Sequence, residues 1–182
     1  MHYLCNCKVK IAKPNILMNT NLILKRPVHT ALEARREKEA VRRLLTFERF
    51  ARDNQLWDEM LTCYDEDAHV KASWFEGSAV DFVKALAART DHIPYHIHST
   101  MVWPHGNRAV AIMDTTFPVK VEVAGKTFNQ TADSQYIYKL HRINGEWYII
   151  DCTTILETLP GKSRPEYMEH LYEEADHWLQ NG

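Results

Sequence analysis

The sequence lacks any run approaching the roughly 18 consecutive apolar residues that a membrane-crossing helix requires, stretches such as Asn15-Ile16-Leu17-Met18 and Leu22-Ile23-Leu24 being far too short. Membrane insertion is therefore not expected. An excess of one charge is missing as well: 22 Lys and Arg stand against 24 Asp and Glu, a net charge of −2, so nothing pulls the chain generally toward nucleic acid or anionic membrane. Cysteine is sparse. Cys5, Cys7, Cys63 and Cys152 have no Cys-x-x-Cys spacing, and a chain of this size needs no disulfide framework. They read as reduced thiols of a cytoplasmic protein. Cys5-Asn6-Cys7 offers only two ligands on an unstructured leader, too few for a zinc site. Internal repeats, low-complexity tracts and a second domain are absent too.

What is present is ordinary globular material. Of the 182 residues 45% are hydrophobic and 25% charged, which excludes disordered, collagenous and coiled-coil chains and predicts one domain with tails. Residues 1–29 carry Lys8, Lys10, Lys13, Lys25 and Arg26 and no acid, yet lack a signal-peptide core and cleavage site. They are expected to be a disordered leader, followed by the domain at 30–160 and a C-terminal helical tail at 161–182.

Ala34, Val41, Leu44, Leu45 and Ala51 recur at helical spacing, which predicts one amphipathic helix over residues 31–52. After Asp53-Asn54-Gln55, a short helix carries Trp57, Met60, Leu61 and Tyr64. Residues 68–75 read as a strand, and Ser78-Ala79-Val80-Asp81 resembles a capping box that opens a third helix. The second half is β: segments 97–103, 108–123, 126–141 and 146–154 are rich in β-branched and aromatic residues. Turn signals at Pro104-His105-Gly106-Asn107, Ala124-Gly125 and Asn144-Gly145 separate them into three consecutive hairpins. Ser163, with Pro165 and Glu166, would cap a last helix with a Tyr167, Leu171, Ala175, Trp178 stripe. Three helices followed by a bent antiparallel sheet bury both surfaces only if the sheet curls around the helices. The predicted fold is a cone-shaped α+β barrel, three N-terminal helices on a strongly curved, mainly antiparallel sheet, with a mouth suited to a ligand.

Several polar residues stand where a purely structural element would not need them. Glu48 continues the Val41, Leu44, Leu45 stripe, which points its carboxylate inward. Burial without a partner would raise its pKa; the alternative is a pair with Arg49, Arg52 or a sheet residue. Asp53 ends the helix, where the dipole mildly disfavours an acid. In Tyr95-His96-Ile97-His98-Ser99-Thr100 a period of two sets His96, His98 and Thr100 on one face. A histidine facing an enclosed cavity and bonded to a carboxylate is a poised general base, though a strand histidine can equally be solvated. His92, His96 and His98 with Asp114 or Glu122 also raise a metal reading, ranked third; no metal site is assigned.

Residues 31–158 resemble the SnoaL-like group of the nuclear transport factor superfamily, which includes scytalone dehydratase, bile-acid dehydratase and hexachlorocyclohexane dehydrochlorinase. The resemblance rests on Phe50-Ala51-Arg52-Asp53-Asn54-Gln55-Leu56-Trp57-Asp58-Glu59, Tyr64-Asp65-Glu66-Asp67-Ala68, Phe75-Glu76-Gly77, Tyr95-His96-Ile97-His98 and Asn144-Gly145-Glu146-Trp147-Tyr148. It implies that Asp53 and His98 form a proton-removing dyad. Glu48 stands where the bile-acid enzyme has a tyrosine, and the later-strand arginine of some relatives has no counterpart among Cys152, Thr153, Thr154, Ile155 and Leu156.

The resulting expectation is a cofactor-independent lyase or isomerase for a hydrophobic small molecule: His98 as base, Asp53 as its orienter, Glu48 as acid. Trp74, Phe75, His96, Trp103, Phe117, Tyr136 and Tyr138 are its expected pocket walls. A non-catalytic binding or assembly module of the same fold is the alternative, and a homo-oligomer, dimer or trimer, is expected in either case.

Overall fold

The computed structural model describes Leu24 and residues 32–90, 93–156 and 167–181. Its elements run α1 (Leu32–Asp53), α2 (Trp57–Leu61), β1 (Tyr64–Ala72), β2 (Phe75–Ser78), α3 (Ala79–Ala87), β3 (His96–His105), β4 (Arg108–Val123), β5 (Lys126–Ile143), β6 (Glu146–Leu156) and α4 (Tyr167–Asn181). The expected leader falls outside the described residues except for Leu24, as do His92 and the Ser163, Pro165 and Glu166 cap.

The six strands form one curved sheet in the order β2-β1-β6-β5-β4-β3. Three antiparallel hairpins, β3-β4, β4-β5 and β5-β6, make most of it, as the turn residues predict. Two of the three two-residue turns place both residues at positive φ, Ala124 (50°) then Gly125 (75°), and Asn144 (51°) then Gly145 (90°). That geometry matches the right-handed twist of the flanking strands. β1 pairs parallel with β6, the one parallel pairing among the described strands, and α3 occupies the crossover toward β3. Ser78 caps α3 as predicted, its side chain accepting from the Asp81 amide. Tyr64, expected on the second helix, opens β1 instead.

Side-chain alternation gives the sheet two distinct faces. Ala109, Ala111 and Met113 of β4 with Tyr136, Tyr138 and Leu140 of β5 face the helices and join Val41, Leu45, Ala51 and Met60 in the main core. Val110, Ile137 and Ile155 face the other way and meet Ala175 and Leu179 of α4 in a second core. The helix expected as a tail thus closes the outer face of the sheet. It buries apolar surface that would otherwise meet water.

Candidate functional site

The last two turns of α1, the loop before β3 and the inner faces of β4, β5 and β6 enclose a cavity of about 460 Å³. Its walls are aromatic: Trp57, Trp74, Phe82, Tyr95, Phe117 and Tyr136. Tyr95 stacks on Phe117 with ring centroids 4.7 Å apart, and Trp74 packs on Phe82 at 5.7 Å. The register explains which sheet residues reach it. Tyr136 lies opposite Thr154, Phe117 opposite Ala132, and Ser134 opposite Thr115, so alternate positions of three neighbouring strands turn toward the helices.

Polar groups enter the cavity from α1. Arg49, whose side chain is 4% exposed, pairs with Asp53 one turn later, Nη2 to Oδ1 at 3.0 Å. Its Nε also donates to Asp53 Oδ1 at 3.1 Å, and its Nη1 donates to the Tyr136 hydroxyl at 3.4 Å. The guanidinium lies over the Tyr95 ring, 4.2 Å from the centroid, a cation–π contact strengthened by burial. Arg52 repeats the arrangement with Glu48: Nη2 and Nε donate to Oε1 at 2.5 and 3.1 Å, and the Tyr64 hydroxyl donates to the same oxygen at 2.9 Å. Burial alone would lower the Arg52 pKa, but the negative charge of Glu48, with Tyr64 and Tyr136 behind it, outweighs that and holds it well above the ordinary value. The Tyr64 and Tyr138 phenols are pushed well above theirs, chiefly by burial.

The expected site residues separate in space. Asp53, Trp74, Phe117 and Tyr136 line the cavity. Glu48 has no solvent exposure and sits behind the wall in its pair with Arg52; the pairing reading of this residue is the observed one. His98 does not meet Asp53. It is exposed and bonds through Nε2 to the Thr116 hydroxyl at 2.9 Å. The reason is a register shift between Ile97 and Ser99: Ile97 pairs with Thr115, but Ser99 pairs with Asp114. This irregularity breaks the period of two, leaving His96, opposite Thr116, and His98 on the outer side of an edge strand while Thr100, opposite Met113, turns inward. Asp53 is instead held by Arg49.

Three expected walls lie elsewhere as well. Phe75 packs behind Phe82 at 5.3 Å, Trp103 packs on the outer core, and Tyr138 is sealed in the main core. Among the described residues no group of three or more His, Cys, Asp or Glu stands close enough to hold a metal ion. Sequence reasoning missed Arg49, Arg52, Arg89, Tyr95 and Phe82 as lining groups. The two i,i+4 pairs Glu48/Arg52 and Arg49/Asp53 were the available signal.

No family model matches the sequence. Over 102 residues the chain is 29% identical to Pea pathogenicity protein 2 of Fusarium vanettenii, a match covering 53% of this chain and 44% of that protein. The chain therefore spans less than half the length of that relative. Its structure superposes on an NTF2-like protein with a cystatin-like fold from Novosphingobium aromaticivorans at TM-score 0.55 and 18% identity, covering 72% of this chain and 86% of the other. The chain has this NTF2-like, cystatin-like fold. The same fold carries different roles. A hexachlorocyclohexane dehydrochlorinase (LinA type 2) matches at TM-score 0.55 and 12% identity over 70% of this chain and 93% of its own. The CaMKII hub of S. rosetta matches equally well, 0.55 and 12%, over 65% and 95%. An NTF2-like fold thus supports a catalytic or an assembly role, and the choice rests on the site.

Proposed function

We propose that the cavity binds a hydrophobic, ring-bearing small molecule and acts on it as a cofactor-independent lyase or isomerase. The observation that carries this reading is Asp53: a carboxylate at the wall of an aromatic cavity, held in place by Arg49, whose Nε reaches both of its oxygens. Such a group can accept a proton from carbon next to an electron-withdrawing oxygen, without His98. The Tyr136 hydroxyl accepts from Arg49, which leaves its own proton to donate to that oxygen as charge develops. Return of that proton from Asp53 to a departing hydroxyl, which then leaves as water, or to another carbon, completes elimination or isomerisation. A positioned base of this kind supplies roughly 10²–10⁴-fold of a rate. The dehydrochlorinase of the same fold makes elimination a natural class of reaction to test.

The test is solvent-deuterium incorporation and product formation over a panel of ring-bearing carbonyl compounds, followed by mass spectrometry. Wild-type protein should exchange or transform at least one compound, and Asp53→Asn should lose that activity while remaining folded. Full activity in folded Asp53→Asn protein refutes the assignment.

One observation favours a non-catalytic holder or assembly module instead: Asp53 and Glu48 are each already tied to an arginine. Binding without exchange or turnover across the whole panel would select that reading. In either case we expect a homo-oligomer, since Phe47 and Phe50 of α1 present 43% and 54% of their surface to solvent.

A further inference from the structure

The two longest strands outrun the rest of the sheet. β3 flanks β4 only as far as Thr116, opposite His96, and β6 flanks β5 only as far as Ser134, opposite Leu156. Residues 118–131 therefore project as a two-stranded arm with no flanking strand among the described residues, its register unbroken from the Phe117–Ala132 pair to the Val123–Lys126 pair. A lone hairpin is marginal in water unless one of its faces is covered.

The arm keeps a two-faced pattern although its residues belong to neither core. Val119 and Val121, with Phe128 opposite Val121, follow Phe117 on the face that looks toward the helices. Lys120, Glu122, Thr127 and Asn129 make the other face, all of them exposed. Such alternation belongs to a sheet with one side packed and one side wet, yet Phe128 presents 47% of its surface to solvent and the two valines are only half-buried. Val119 is also a wall of the cavity, beside Phe117. The apolar row thus runs out of the cavity without a break, and at about 3.3 Å per residue Val121 lies about 13 Å along the strand from Phe117.

We infer that the arm binds the aliphatic tail of the cavity's ligand, which makes that ligand a ring-bearing carbonyl compound with an alkyl chain, its ring among the aromatic walls and its chain along Val119, Val121 and Phe128. This rests on the ligand-binding reading above and adds the tail to it. Continuity with the cavity selects this occupant. From Phe117 to Phe128 that face carries Gln130 as its one polar side chain and no charge, which suits a hydrocarbon. A second copy of the chain would need about 800 Å² per partner for a stable interface, and three partly covered side chains supply far less.

Two probes that differ only in the tail test this: 2-acetylnaphthalene and 2-octanoylnaphthalene, titrated into the full-length chain by quenching of tryptophan fluorescence. Trp57 and Trp74 line the cavity and report on occupancy. A buried methylene is worth about fourfold in affinity, so the octanoyl compound should bind roughly tenfold tighter or more. Phe128→Ser should remove most of that ratio, and Asn129→Ala, on the opposite face of the same arm, should keep it. Equal affinity of the two probes for the wild type, or a ratio that survives in folded Phe128→Ser protein, overturns the tail assignment while leaving the cavity a binding site. Failure of both probes to bind at their solubility limits overturns the ligand-binding reading with it. A wild-type dimer that Phe128→Ser turns into monomer in light scattering gives the face to a second copy and overturns the tail assignment as well. If Phe128→Ser does not fold, Val121→Thr, which keeps the outline of the side chain and adds a hydroxyl, is read in the same way.

Discussion

Glu48 and Arg52 lie one turn apart on α1 and form an ion pair, Oε1 to Nη2 at 2.5 Å, whose carboxylate has no exposure to solvent at all. Removing one partner strands a charge in the core. Arg52→Met should therefore destabilise the fold by about 3–5 kcal/mol, as breaking buried pairs does. Glu48→Leu combined with Arg52→Met should recover a large part of that loss, because no charge is left buried. Urea unfolding followed by circular dichroism measures both, and additive losses in the double variant would contradict the pairing.

His98 sits at the irregular point of an edge strand, away from Asp53, with the Thr116 hydroxyl as its partner. Replacing it by alanine should change stability by no more than about 0.5 kcal/mol, the usual range for surface substitutions. Probe binding and any deuterium exchange should be unaffected. A hundredfold loss of exchange in folded His98→Ala protein would show instead that β3 rearranges to bring the imidazole to Asp53.

The buried thiols give a pH dependence of definite sign. Burial, reinforced by the charge of Glu48, pushes Cys63 from an ordinary 9.0 up to about 12, and burial raises Cys152 in the same direction. A group whose folded pKa is raised contributes stability that is whole below its unfolded pKa and is lost as pH rises through the folded one. Urea midpoints should therefore fall between pH 9 and pH 12 as Cys63 ionises. At pH 8 both thiols should be alkylated far more slowly in native than in denatured protein, as peptide mapping of Cys63 and Cys152 would measure; equal rates would mean the two positions are open to solvent.

Leu179 of α4 is 2% exposed and closes the second core over Val110, Ile137 and Ile155. Leu179→Ala should cost about 2–5 kcal/mol, the range for emptying a packed leucine site. Deleting residues 167–182 should lower the thermal midpoint further and expose a patch that drives association in light scattering. A deletion variant as stable and as monodisperse as the full chain would make α4 a true tail.

The sequence by itself determined most of the elements and their order, the β1-β2 hairpin excepted, because those depend on local physics. Helical spacing from Val41 to Ala51 built α1, positive-φ turns at Ala124-Gly125 and Asn144-Gly145 built the hairpins, and Ser78 capped α3. Only the tertiary structure decided which of the polar residues meet. One shift of register between Ile97 and Ser99 reversed the face of His98, and no periodicity argument can see an irregularity that arises from pairing with a strand some 18 residues away. The arginines were equally hidden, since Arg49 and Arg52 look like any charged residues on a solvated helix face until the sheet curls over them. What makes them a site is the loss of water around them, and that is a property of the packed cone rather than of α1.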